Sequence, residues 1–220
     1  MGNGAGTMGL SFVAFVAVWI AMMAAMMLPS VAPVAILWTR YIMRQPLGSR
    51  AFFRVALFVF GYLLAWAFAG VVAYFGLALF EQVLRLAGEQ VGWVGGAIFV
   101  TAGVYQLTSF KDVCLRHCRS PISLLAHYTS FRGPAIDMRI GIHHGIYCVG
   151  CCWGLMLILV AVGVMNVPAM AMLSVVIFVE KTLRHGVLVA RLAGVSFFGA
   201  AVVAVICPKL FPGLSACCPS

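Results

Sequence analysis

Charge is scarce in this chain. Among 220 residues there are 14 Lys and Arg and 5 Asp and Glu, so charged side chains make up 9% of the whole. Soluble domains carry about 25%, and with 64% hydrophobic residues no soluble domain of useful size fits between the apolar stretches. The acid deficit leaves a formal net charge of +9. The basic residues gather at the ends of apolar stretches, which is the pattern that orients membrane spans rather than one that binds nucleic acid. The expected partner surface is therefore a lipid bilayer. The first ten residues, MGNGAGTMGL, lack the basic n-region of a signal peptide, and the apolar stretch after them is long enough to stay as a span. No internal repeat of the transporter kind is visible. The chain also lacks an ATPase domain and a long Met-rich outer domain.

What is present is a succession of apolar runs. No charge precedes Arg40, so a first span fits within Leu10 to Trp38, interrupted by Pro29 and Pro33. A second lies within Val55 to Phe80 and a third within Val91 to Phe110. The run from Ile140 to Val179 holds 40 residues without a charge, too long for one span of about 20 residues and long enough for two. Asn166 and Pro168 mark its turn, giving spans near Ile140–Gly163 and Pro168–Val179. A sixth covers about Gly186 to Cys207, with Arg191 close enough to its start to snorkel. Twelve of the fourteen basic residues then fall on one side, leaving Arg85 and Lys209 on the other. The basic side faces the cytoplasm. The expectation is an all-α polytopic membrane protein, a single domain over residues 1–220 with six transmembrane helices and both termini outside, in the inner membrane of a bacterium.

The candidate chemistry lies in sulfur and imidazole. Cys148, Cys152 and Met156 recur every four residues, with His144 one turn earlier and Cys151 beside them, so one face of the fourth span carries imidazole, thiol and thioether. Such ligands select Cu(I) or Zn(II), and polar groups buried in a span usually have a function. Met22, Met23, Met26 and Met27 on the first span reach a matching depth. Only one methionine of each adjacent pair is expected to face a site, since neighbouring helix positions differ by about 100°. Spans 1 and 4 are therefore expected to pack together around one sulfur-lined pocket, with Ala21, Ala24, Ala25, Gly150 and Gly154 allowing close backbones. Isolated methionines and cysteines are as a rule core filling; the i, i+4 spacing sets these apart.

A second cluster, Cys114, His117 and Cys118, shares one helical face in the connection between spans 3 and 4. Thiolate plus imidazole is a common zinc or copper set, and basic neighbours Lys111, Arg116 and Arg119 favour thiolate. Three ligands leave it open to a fourth, or to two- or three-coordinate Cu(I). Glu180-Lys181 closes span 5 as an interfacial anchor, or with Glu180 as an entry carboxylate for protons or metal. Cys207, Cys217 and Cys218 fall at the outer face, and the vicinal pair cannot readily bond to itself.

These blocks carry a resemblance. AMMLPSVAP (Ala25 to Pro33), YQLTSFKDVCLRHCRSP (Tyr105 to Pro121), RIGIHHGIYCVGCCWGLM (Arg139 to Met156), GVMN (Gly163 to Asn166) and Glu180-Lys181 together resemble a bacterial family of uncharacterised integral membrane proteins expected to bind metal. The resemblance spans nearly the whole chain. Cys114/Cys118 and Cys148/Cys151/Cys152 match the family's recurring cysteine blocks, whereas His117 is not a fixed part of the pattern. It implies a metal and supplies no activity.

Three functions compete on these residues. In the first, Cu(I), or zinc as the alternative metal, is captured and transferred, transported or built into a copper centre through Cys, Met and His ligands, with a membrane metalloenzyme or metallochaperone as partner. In the second, the chain is a subunit of a membrane redox enzyme carrying an intramembrane metal centre, which would give weight to His143, His144 and Glu180. In the third it is a structural or assembly subunit. No catalytic apparatus stands out, and the sequence leans away from an enzyme.

Overall fold

The computed structural model describes residues 9–44, 50–119, 126–128 and 135–215. Every element among them is helical: α1 (Phe12–Met43), α2 (Arg50–Ala87), α3 (Val91–Leu107), α4 (Ser109–Arg119), α5 (Ile136–Val162), α6 (Val167–Thr182), α7 (Gly186–Ile206) and a single closing turn, α8 (Pro212–Ser215). Short 3-10 turns at Gly88–Gln90 and Pro208–Leu210 join α2 to α3 and α7 to α8. The outer cysteines Cys217 and Cys218, and Arg132 of the long connection, lie outside the described residues.

Four helices, α1, α2, α5 and α7, are long and apolar enough to cross a bilayer. The count rises to five if α3 and α4, bent by 61° at their junction, form one broken span. The expected count of six is reduced at two places. At 16 residues, α6 is about 24 Å long, short of the ~30 Å hydrocarbon core. The expected third span ends at Thr108, which adopts an extended conformation. Its hydroxyl donates to the Tyr105 carbonyl at 2.7 Å and accepts from the Lys111 amide at 3.4 Å. One side chain thus closes α3 and opens α4, as threonine does when it competes with the helix ladder.

The prolines of α1 do not interrupt it. Pro29 and Pro33 both lie inside one continuous 32-residue helix. Each removes a backbone donor, and apolar helices tolerate this where nearby groups use the freed carbonyls. The Ser30 hydroxyl donates to the Met27 carbonyl at 2.8 Å, between the Ala25 and Pro29 carbonyls that the two prolines leave without a helical donor. The turn in the charge-free run falls where Asn166 and Pro168 mark it. Gly163 takes a positive φ of 106°, Asn166 caps α6 by accepting from the Ala169 amide at 3.1 Å, and Pro168 sits in the first turn, where its missing N–H costs nothing.

The centre of the molecule is α5, which lies closest to α2 and also meets α3, α4 and α6. A Cβ on Gly61 would run into the Met138 carbonyl, and one on Gly141 into the Phe58 carbonyl. The α2–α5 contact is therefore backbone against backbone, the close approach that small residues permit between apolar helices. Arg54 fixes its register by gripping both oxygens of Asp137, at 2.7 and 3.1 Å. This paired contact orients the first turn of α5, and with it the histidines and cysteines that follow.

Candidate metal centre

The break at Thr108 decides the geometry of the site. Instead of leaving the bundle, α4 turns back and lies along α5 and α6. Its apolar face is carried by Cys114, Leu115 and Cys118, all buried. Cys114 reaches α5 at Gly150, where a Cβ would stand 3.2 Å from its sulfur. One turn further on, Cys118 lies in the same buried cluster as Cys151, near enough for the two thiols to influence each other electrostatically. The two cysteine clusters expected at separate depths are therefore one. Gly150 and Gly154 make room for Cys114 and for the Tyr105 ring respectively, not for α1.

Within the cluster the thiols are held tightly. Cys148, Cys151 and Cys152 are each 2% exposed or less. The Cys151 and Cys152 thiols donate to the Cys148 carbonyl at 3.2 and 2.9 Å. Cys148 Sγ lies 3.1 Å from the Tyr62 hydroxyl of α2 and 3.0 Å from Lys181 Nζ of α6. Lys181 also donates to the Ser30 hydroxyl of α1 at 3.4 Å. A buried ammonium with two polar neighbours, Cys148 of α5 and Ser30 of α1, thus lies against the thiol cluster. The basic residues next to Cys114 and Cys118 in sequence are engaged elsewhere. Arg116 donates to the Asp112 carbonyl, Arg119 donates to the Leu183 and Arg184 carbonyls, and Lys111 pairs with Glu180 at 2.7 Å. The cation that serves the thiols is Lys181.

Glu180 and Lys181 are not an interfacial anchor. Both are buried, and consecutive helix positions send them to different partners. Glu180 accepts from Lys111 at 2.7 Å and from the Gln106 amide at 3.0 Å, so both oxygens are engaged. The Lys111 ammonium donates to the Gln106 carbonyl oxygen as well. This closed triad joins α3, α4 and α6, and compensates charge that would be costly to bury alone.

The other candidate ligands lie around the thiols. Met22, Met23, Met26 and Met27 are all buried, so burial does not separate Met22 with Met26 from Met23 with Met27 as the pair facing a site. They belong to the same continuous buried cluster as Met156 and the five cysteines 114, 118, 148, 151 and 152. The principal neighbours of α1 are α2 and α6 rather than α5. Side chains bridge the gap: Met22 and Met156 line one apolar cavity of about 900 Å3, and Ser30 connects to Cys148 through Lys181. His144 is buried against the Phe58 and Tyr62 rings, with Nδ1 3.4 Å from the Tyr128 hydroxyl. His117 stacks on Tyr147 with centroids 3.8 Å apart. Cys207 is an exposed free thiol at the far end of α7.

Among the described residues, no three His, Cys, Asp or Glu side chains stand as they are in an arrangement that would hold a metal ion. The donor chemistry nevertheless fits a soft ion. A two-coordinate Cu(I) needs only two sulfurs, and thiolate and thioether are the ligands that select it. Tyr62, Ser30 and Lys181 are the participants that sequence reasoning missed. For Lys181 the signal was present, a lysine directly following 40 uncharged residues and one acid, which is expensive unless paired within the bundle.

The profile of the PpoB2 family, described as copper chaperone, matches residues 16–204. No curated protein and no solved structure matches the chain. With most of its length matched, the chain belongs to the PpoB2 copper chaperone family.

Proposed function

Starting from membership in the PpoB2 copper chaperone family, we propose that this protein binds Cu(I) inside a bacterial inner membrane and passes it to a copper enzyme. The observation that carries the reading is the gathering of Cys118 of α4 with Cys148, Cys151 and Cys152 of α5 in one buried cluster, with Lys181 Nζ 3.0 Å from Cys148 Sγ. Two thiolates and one Cu(I) carry a net charge of −1, and the Lys181 ammonium brings the assembly to neutrality. In a medium where isolated charge is costly, this balance favours a monovalent ion. A Zn(II) dithiolate beside the same lysine would leave a positive charge.

Cys118 and Cys151 are the primary ligands in this reading, with Cys148 and Cys152 adjacent for exchange and Cys114 as the nearest further thiol. Met156 and the α1 methionines Met22, Met23, Met26 and Met27 offer weaker thioether sites along the same buried cluster, a graded series from thiolate to thioether that suits transfer. His144 stands one turn from Cys148 on the same face of α5. Glu180 serves through Lys111, by holding α4 in place. His117 belongs with the imidazoles rather than with the thiols.

A six-segment arrangement with α6 as a short inner element, both termini outside and α4 entering from the cytoplasmic side accounts for the placement of charge. Arg40 closes α1 and Arg50 and Arg54 open α2, while Arg85 stands alone at the opposite end of α2.

The test is metal analysis of protein purified anaerobically from copper-supplemented cells. About one copper per chain is expected, with zinc absent. The Cys151→Ser/Cys152→Ser variant is expected to retain less than about a tenth of that copper, consistent with the affinity lost when ligands or their supports are removed. Equal copper in variant and wild type would refute the reading.

A further inference from the structure

A separate group of side chains at the open end of α5 has the chemistry of a second metal site. His143 of α5 lies between His117 of α4 and His127 of the segment 126–128, with ring centroids 5.3 and 5.7 Å away. Three successive chain segments, α4, residues 126–128 and α5, bring these imidazoles together. Imidazoles sharing one ion at an M–N distance of about 2.1 Å place their centroids roughly 5–6 Å apart, so the observed spacing already fits. The nitrogens do not yet converge; rotation of the rings about χ1 and χ2 would turn them inward without moving the backbone.

The surroundings suit a binding site better than a packed core. His127 is exposed and His117 and His143 are half-buried, so an ion can enter from water. Tyr147 stacks flat on His117 at 19° and also lies 5.0 Å from His143, while Tyr128 meets His143 edge-on at 5.8 Å. These rings border the imidazoles from outside. Nε2 of His117 is buried and has no hydrogen-bond partner. A buried ring nitrogen without a partner costs free energy, and a metal ion would satisfy it. The basic residues Arg116 and Arg119 of α4 are directed to carbonyls elsewhere.

We propose that His117, His127 and His143 form a metal-binding station for a borderline divalent ion, Cu(II) or Zn(II), distinct from the buried thiols. Imidazole suits both ions, and dependence on His127 separates this station from any zinc held by the thiols. The station needs no cysteine, so it stands or falls separately from Cu(I) binding at Cys118 and Cys151.

Carbethoxylation of histidine by diethyl pyrocarbonate, read by mass spectrometry on the intact wild-type protein, tests it with Zn(II) as the probe. Zn(II) is expected to slow modification of His117, His127 and His143 at least about fivefold. Modification of exposed His185 should stay unchanged, and it serves as the internal control. In His127→Ala, protection of His117 and His143 is expected to disappear; a thiol-bound zinc would not depend on His127. In a chain with Cys114, Cys118, Cys148, Cys151 and Cys152 changed to Ser, one Cu(II) with nitrogen superhyperfine structure is expected by EPR. If that chain does not fold, the wild-type footprint decides. Zn(II) that leaves all histidines equally reactive, or protection that survives in His127→Ala, would overturn the proposal.

Discussion

Exchange of Cys118 and Cys151 together for serine is expected to lower Cu(I) affinity at least about 100-fold, measured by competition with a chromophoric chelator in detergent under anaerobic conditions. The expectation follows from their place in one buried cluster where α4 lies along α5. Even the loss of supporting groups around a metal costs roughly 10–100-fold, and here both primary sulfurs are removed. Serine is close in size to cysteine, so the packing of α4 on Gly150 should survive, and an unchanged melting profile would show it. Either single variant should fall between, because one primary sulfur remains. If the double variant binds Cu(I) as tightly as wild type, the junction is structural and the metal lies elsewhere.

Lys181→Met is expected to weaken Cu(I) binding by about 10–100-fold while leaving the stoichiometry at one. Methionine keeps the length and apolar stem of lysine but removes the charge that lies 3.0 Å from Cys148 Sγ. A copper dithiolate would then carry its negative charge without a partner in a low-dielectric interior, where unpaired charge is expensive. Lys181 acts as a positioning and charge-balancing residue, so the informative readout separates affinity from capacity. Lys181→Arg keeps the charge and should recover most of the affinity. Loss of capacity together with loss of fold would point to a purely structural lysine, and unchanged affinity in Lys181→Met would remove charge balance from the account.

Much of the helical layout is legible in the sequence because apolar length and charge position are one-dimensional signals. The places of α2, α5 and α7 follow from basic residues near their ends, although α2 runs from Arg50 to Ala87, past the expected Val55 and Phe80, and the Asn166–Pro168 turn follows from capping chemistry. What the sequence hides depends on direction in space. Thr108 is an ordinary residue until its hydroxyl is seen bridging Tyr105 and Lys111, yet that bridge sends α4 back against α5. Pro29 and Pro33 read as breaks, yet each removes only one local hydrogen bond and α1 continues through both. Glu180 and Lys181 read as one interfacial pair, although about 100° of helix rotation between them sends the acid to Lys111 and the base to Cys148. The cysteines of the site were identifiable from type and spacing. Their convergence across two helices was not, and neither was the meeting of His127 with His143, because both depend on that fold-back.

Copper K-edge X-ray absorption on the Cu(I)-loaded protein tests the central claim most directly. The account predicts a first shell made only of sulfur, two or three scatterers, with a sulfur lost in Cys118→Ser and another in Cys151→Ser. A first shell dominated by nitrogen or oxygen, or a sulfur shell that neither substitution changes, would contradict it.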